Sequence, residues 1–303
     1  EVVLARLYQF ETLNISNSVQ FNIRNDAQGF TRRFMNHYLM ADGTRFTDIQ
    51  GHETMFYTDE TKNRDPRMAQ TVLCPGYIIK DETKPTPNDM TALTGYEPIK
   101  FVASIAHSGA SKGTMDWPLI RAAEVYLNYA EAKAELGELT DADWAKTVGA
   151  IRARAGIVGG IDKKPTILDP YMQETFYPDV TDPVIMEIRR ERAIELYFEG
   201  LRLNDLRRWK AGKLIATLPW TGIHIPALDT PVDINGDGTY DYYFSEAPAA
   251  GTYKNITVPV NQDATKDGIW TVANPAGGYD LEYRVVGQRT WYENDRQYLY
   301  PVP

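Results

Sequence analysis

The chain has 303 residues, 43% of them hydrophobic, enough for a substantial core in one large domain or two ordinary ones. Its net charge of −9 comes with no clustered basic footprint, which excludes a nucleic-acid binder and attraction to an anionic lipid surface. The single cysteine, Cys74, excludes an intrachain disulfide, and no run approaches the roughly 18 apolar residues of a membrane span.

The chain opens on Glu1 rather than Met and shows no signal peptide, so a processed chain, or a piece cut from a longer one, is expected. Val2, Val3 and Leu4, then Tyr8, Phe10 and Phe21, predict a short strand and an irregular loop over residues 1–30. Residues 31–40 are expected as a short helix and 41–44 as a turn. Residues 63–68 read as a turn leading into a strand over 70–73, and 81–98 as a loop rich in Thr, Pro, Asp and Asn. Thr71-Val-Leu-Cys74 is not a lipoprotein box, because no basic and apolar signal precedes it.

Two helical pairs follow. Residues 120–136 put Ala123, Leu127, Ala130 and Ala134 near one face, and Gly137 ends that helix. Thr140 or Asp141 caps the next, whose Trp144, Val148, Ile151 and Ala155 recur at helical spacing. A Pro- and Gly-rich connection covers 156–181. Asp182 then caps a helix with Pro183 at its first position. Val184, Ile185, Ile188, Ile194, Tyr197, Phe198 and Leu201 form its inward stripe, and Gly200 suits its left-handed stop. A further helix is expected over 203–211. The stretch 217–303 reads as loops with short β-hairpins. The fold class is therefore mainly α, with two helical hairpins in tandem that look tetratricopeptide-like, long loops and small β elements. No domain boundary is evident, so 1–303 reads as one domain with a helical core over about 117–215.

The charged residues invite a catalytic reading. Glu187, Glu191, Glu195 and Glu199 form an i, i+4 row beside Arg189, Arg190 and Arg192. Pairing with arginine lowers a carboxylate's pKa, whereas a glycosidase general acid needs it raised, so ion pairs clamping helices are expected instead. His37, His52, His107 and His224 lack zinc-ligand spacing, and Ser108, Ser111 and Cys74 lack a nucleophile-elbow context.

One loop carries metal-ligand spacing. Asp233, Asn235, Asp237, Thr239 and Asp241 place oxygens at positions 1, 3, 5, 7 and 9, with Gly238 at position 6 and Phe244, not Glu, at position 12. Glu246 falls two residues late for closure. The loop is expected to bind a structural calcium ion; no other cofactor is required. The competing reading is a turn held by Asx hydrogen bonds.

At 12% the aromatic share is high enough to supply sugar platforms as well as a core. Tyr8, Phe10, Phe21, Phe30, Phe56, Tyr57, Trp117, Trp220 and Tyr242 are the candidates. Tyr8, Phe21 and Trp117 are preferred, because they lie in expected irregular segments near the helical scaffold.

Several segments, in order along the chain, resemble the RagB/SusD family of outer-membrane nutrient-binding lipoproteins. They are Asn36-His-Tyr-Leu-Met-Ala-Asp-Gly43, Asn63-Arg-Asp-Pro-Arg67, Arg121-Ala-Ala-Glu-Val-Tyr-Leu-Asn-Tyr-Ala-Glu-Ala132, Ile151-Arg-Ala-Arg-Ala-Gly156, the 182–209 run and Asp295-Arg-Gln-Tyr-Leu-Tyr-Pro-Val-Pro303. The match looks like the C-terminal portion of such a protein. The resemblance implies a SusD-like fold and non-catalytic capture of a glycan nutrient at the bacterial surface. It also implies delivery to a SusC-like TonB-dependent outer-membrane transporter, with membrane attachment only through an N-terminal lipid anchor absent from this chain. Two rivals stand beside it: a glycoside hydrolase, and a helical-repeat scaffold that binds other proteins.

Overall fold

A computed structural model describes residues 1–9, 14–216, 219–258 and 267–285, together with 291 and 298. The first strand, β1 (Val2–Arg6), pairs antiparallel with β2 (Trp117–Arg121), Val2 opposite Arg121 and Arg6 opposite Trp117. This non-local pairing claims residues 117–121 for the ribbon, so the helix expected from Ile120 starts at Ala122. Helix α1 (Val19–Asn25) is tied to a distant loop, where the Gln20 amide donates to Ser104 O and accepts from Ala103 N, both at 2.8 Å.

The helix expected over 31–40 is four residues long, α2 (Arg32–Met35), started by the Thr31 hydroxyl accepting from Phe34 N. Tyr57–Glu60 makes α3, and Met68–Thr71 makes α4. The latter replaces the strand expected over 70–73. Asp65 explains the change: its carboxylate accepts from Arg67 N at 3.0 Å and its carbonyl from Met68 N at 2.8 Å, which winds the chain into a helical turn. Only Val72 then forms an isolated bridge, to Pro98.

Helix α5 (Ala122–Glu135) is followed by α6 (Asp141–Lys146), which opens on a capping box between Thr140 and Asp143. The periodic run from Trp144 to Ala155 is not one helix. It breaks at Thr147 (φ −117°, ψ −93°) and resumes as α7 (Val148–Ala155). Gly149 is required there, since a Cβ would lie 1.9 Å from the carbonyl oxygen of Ile161. The connection expected over 156–181 contains a short helix, α8 (Pro170–Thr175), capped by Asp169.

Helix α9 (Pro183–Glu195) begins as the sequence predicts, with Asp182 accepting from Val184 N at 2.7 Å. Ten of its thirteen residues are buried, so it is a central helix and not one with a single inward stripe. Ile194 joins a cluster with Phe30, Tyr38, Ile223 and Phe244. Ile185 and Ile188 join α5, α6 and α7 through Leu127, Trp144 and Ile151, while Met186 joins Met172, Phe176 and Leu206. Then come α10 (Arg202–Arg208) and α11 (Lys213–Ala216).

The β elements are Trp220–Ile225 (β3), Pro231–Val232 (β4), Tyr242–Ser245 (β5), Lys254–Thr257 (β6), Gly268–Ala273 (β7) and Tyr279–Arg284 (β8). One antiparallel sheet has the order β3-β8-β7, and the other runs β4-β5-β6. The β7–β8 unit is a hairpin as expected, whereas β5 and β6 pair in parallel. No helix among the described residues is long and apolar enough to cross a membrane.

Candidate ligand-binding cleft

After α9 the chain turns, and Phe198 takes φ 62°. For a bulky residue that left-handed setting costs about 1–3 kcal/mol. The turn sets aromatic rings against the 26–34 segment. Tyr197 stacks on Phe30 with centroids 4.2 Å apart, meets Phe34 at 5.2 Å and takes Phe198 edge-on at 4.7 Å. Across the sheet, Trp220 of β3 is in register with Tyr283 of β8, and their rings lie within 14° of parallel at 5.8 Å. These six rings line one cleft of about 620 Å³, a volume within the range of small-molecule sites. Phe30 is buried; the other five are half-buried and keep ring area open.

The polar lining comes from Asp26, Gln28, Thr31 and Thr94. The two hydroxyls serve the fold: Thr31 caps α2, and Thr94 donates to Phe30 O at 2.5 Å. Asp26 and Gln28 make no side-chain hydrogen bond among the described residues and are open to a ligand. Flat rings with a few polar groups at their edge match a pyranose, which presents C–H groups on its faces and hydroxyls around its rim.

Of the preferred platform residues, none lines this cleft. Tyr8 and Trp117 fall at one edge of the molecule: Tyr8 N donates to Asp116 Oδ1 at 2.9 Å, Arg6 covers the Tyr8 ring, and Trp117 leans on Phe101 at 4.8 Å. Phe21 is on helix α1, not in a loop, and does not stack on either ring. Among the other candidates, Phe30 and Trp220 enter the cleft, while Tyr57 and Tyr242 are core residues with buried hydroxyls bonded to Leu73 O and Asn88 O. Phe10 lies outside the described residues. Tyr197 and Phe198 carried a signal only as part of an inward apolar stripe. Phe34 and Tyr283 carried none, because nothing in the sequence brings β8 beside β3.

The carboxylates of α9 are committed. Arg67 donates to Asp65, to Glu191 Oε1 at 2.5 Å and to Glu195 Oε2 at 3.2 Å. Glu191 also accepts from Arg152 Nε at 2.9 Å. Glu195 accepts further from Arg121 at 3.0 Å and Arg154 at 2.6 Å, and Glu199 from Lys100 and Arg121. Burial pushes the Glu187 carboxyl up, but Arg190 and Arg152 outweigh it and hold the group at about 2. Glu195 is lowered in the same way: burial opposes, and Arg67, Arg154 and Arg121 prevail. Neither can serve as a general acid near neutral pH. The expected ion pairs are present, but they run mostly between elements and seldom along α9. Within that helix, Arg190–Glu187 is the one i, i+3 pair among the described residues.

The loop from Asp233 to Asp241 closes on its own amides. Asp233 accepts from Gly236 N at 2.6 Å and Gly238 N at 2.7 Å, Asn235 from Asp237 N, Asp237 from Thr239 N, and Asp241 from Ile234 N. Asp241 is raised by burial and further by Asp233 and Asp237, while the two amides it accepts from oppose the rise. Among the described residues no group of three His, Cys, Asp or Glu side chains is arranged to hold a metal ion. The five expected ligands share one loop, but a cation there would compete with these amides.

The fold and the cleft together define a largely helical scaffold with a cleft of half-buried aromatic rings. The model of the SusD family matches residues 16–303, and the chain belongs to that family. A crystal structure of a SusD-like carbohydrate binding protein from Bacteroides fragilis is similar, with a TM-score of 0.59 at 19% identity. The match covers 100% of this chain and 52% of that one, so this chain spans about half the length of that relative and shares its SusD-like fold. No curated protein matches.

Proposed function

We propose that this chain binds glycan in the aromatic cleft, without turnover, as part of a nutrient-capture protein at the bacterial cell surface. The observation that carries the reading is the convergence of Phe30, Phe34, Tyr197, Phe198, Trp220 and Tyr283 on one cleft that also holds the unbonded Asp26 and Gln28. Family membership and the carbohydrate-binding relative support it. The arginine-paired state of Glu187, Glu191 and Glu195 weighs against a hydrolase. On this reading 1–303 acts as one unit whose paired helices, α5 to α7 and α9 to α10, are tetratricopeptide-like hairpins. Delivery to a SusC-like TonB-dependent transporter and attachment to the outer membrane through a lipid anchor complete the proposal.

Tyr8, Phe21 and Trp117 are retained as secondary sugar contacts, away from the cleft. Calcium in the 233–241 loop is likewise part of the proposal and rests on its ligand spacing. A glycan array, followed by assay for released reducing ends, tests the main reading. Retention without cleavage is expected, weakened by Trp220→Ala. Cleavage would establish a hydrolase, and retention of proteins with no glycan bound would establish an interaction scaffold. Loss of binding in Trp117→Ala with Trp220→Ala unchanged would move the site to the β1–β2 edge.

A further inference from the structure

We infer that the aromatic cleft selects neutral glycans and discriminates against sugars that carry carboxylate or sulfate groups. The inference rests on the glycan-binding reading of the same cleft. Among the described residues Asp26 is the one charged residue in the lining, it is exposed, and its carboxylate makes no hydrogen bond or ion pair. Local folding does not account for it. Asp26 follows directly after the C-terminal end of α1, where the helix dipole disfavours an acid.

The basic side chains next to the lining are committed elsewhere. Arg24 pairs with Glu97 at 2.6 Å, Arg32 with Asp280 at 2.7 Å, and Arg284 with Glu282. Arg33 keeps its Nε and one terminal nitrogen buried and lies near Tyr171, which is not a cleft residue. Among the described residues, no cation of the lining is therefore available to receive an anionic sugar. A neutral sugar on the rings offers hydroxyl donors to Asp26, and hydrogen bonds to an ionised acceptor are the stronger kind. A uronic acid or sulfated sugar brings a second negative charge into a cleft walled by apolar rings, where screening is weaker than in bulk water. The chain's net charge of −9 acts in the same direction at longer range.

The experiment uses the whole chain and matched probes: neutral oligosaccharides on an array, then oligogalacturonides against their carboxyl-reduced forms by titration calorimetry. The reduced forms are expected to bind about tenfold or more tightly than the acidic parents at low salt, with the gap narrowing at high salt. Asp26→Asn should close most of that gap while Trp220→Ala weakens both probes. Acidic glycans bound as tightly as neutral ones, or an unchanged gap in Asp26→Asn, would overturn the selectivity while leaving glycan binding in place. No glycan retained at any charge would remove the binding reading and this inference together.

Discussion

Glu195 and Phe198 are three residues apart, yet they belong to assemblies of opposite character. The network around Glu195 is dense in charge and paired, buried at Arg67 and Glu195 and open to solvent at Arg154. The cleft around Phe198 is dense in rings, half-buried, and carries polar groups with nothing to bond. In the network, removing one partner strands a charge in the interior, so its residues govern stability. In the cleft, removing a ring subtracts contact area and leaves no buried charge behind, so its residues can be changed with modest effect on folding. The sequence already pointed to ion pairs in the Glu and Arg row and offered Phe30 and Trp220 as platforms, but it placed Tyr197 and Phe198 in an inward apolar stripe.

The sharpest way to break this comparison is to remove Arg67, which bridges Asp65, Glu191 and Glu195. Arg67→Ala should cost about 3–5 kcal/mol in chemical denaturation, because three buried carboxylates lose a common partner. A variant with unchanged stability but lost glycan binding would transfer the network from scaffold to site. Acid acts on the same network. Glu187 is depressed to about 2 against an unfolded value of about 4.3, so its contribution is full above about pH 4.3 and disappears as pH falls toward 2. That window is worth about 3 kcal/mol for this group alone, and Glu187→Gln should flatten melting temperature against pH there.

The cleft should answer differently. Trp220→Ala is expected to weaken glycan binding about tenfold, or about 1.4 kcal/mol, and to lose a similar amount of stability through the Tyr283 stack. Unchanged titration would show that the parallel pair is packing alone. The smallest effect belongs to the 233–241 loop. With a dissociation constant of about 10⁻⁴ to 10⁻³ M, millimolar calcium should add about 1 kcal/mol. Calorimetry with and without chelator checks it, and Asp237→Ala should abolish the shift. A melting temperature indifferent to calcium in both chains leaves a loop closed by its own amides.

What was legible in the sequence was local or familial. Thr140, Asp182 and Pro183 mark helix starts because capping depends on neighbours within a turn. The ordered segments from Asn36 onward pointed to the family that the 16–303 match establishes. Tertiary structure decided the rest, wherever the deciding partner is distant. Pairing with β1 turned residues 117–121 into strand, and the Asp65 turn wound residues 68–71 into helix where a strand was expected from residue 70. Three clusters around α9 buried both its faces, which converted a row of surface-like charges into an interior network. The cleft exists only because β8 returns beside β3 and the turn after α9 meets residues 26–34. Helical and strand periods report which face of an element is apolar, but not which other face it meets.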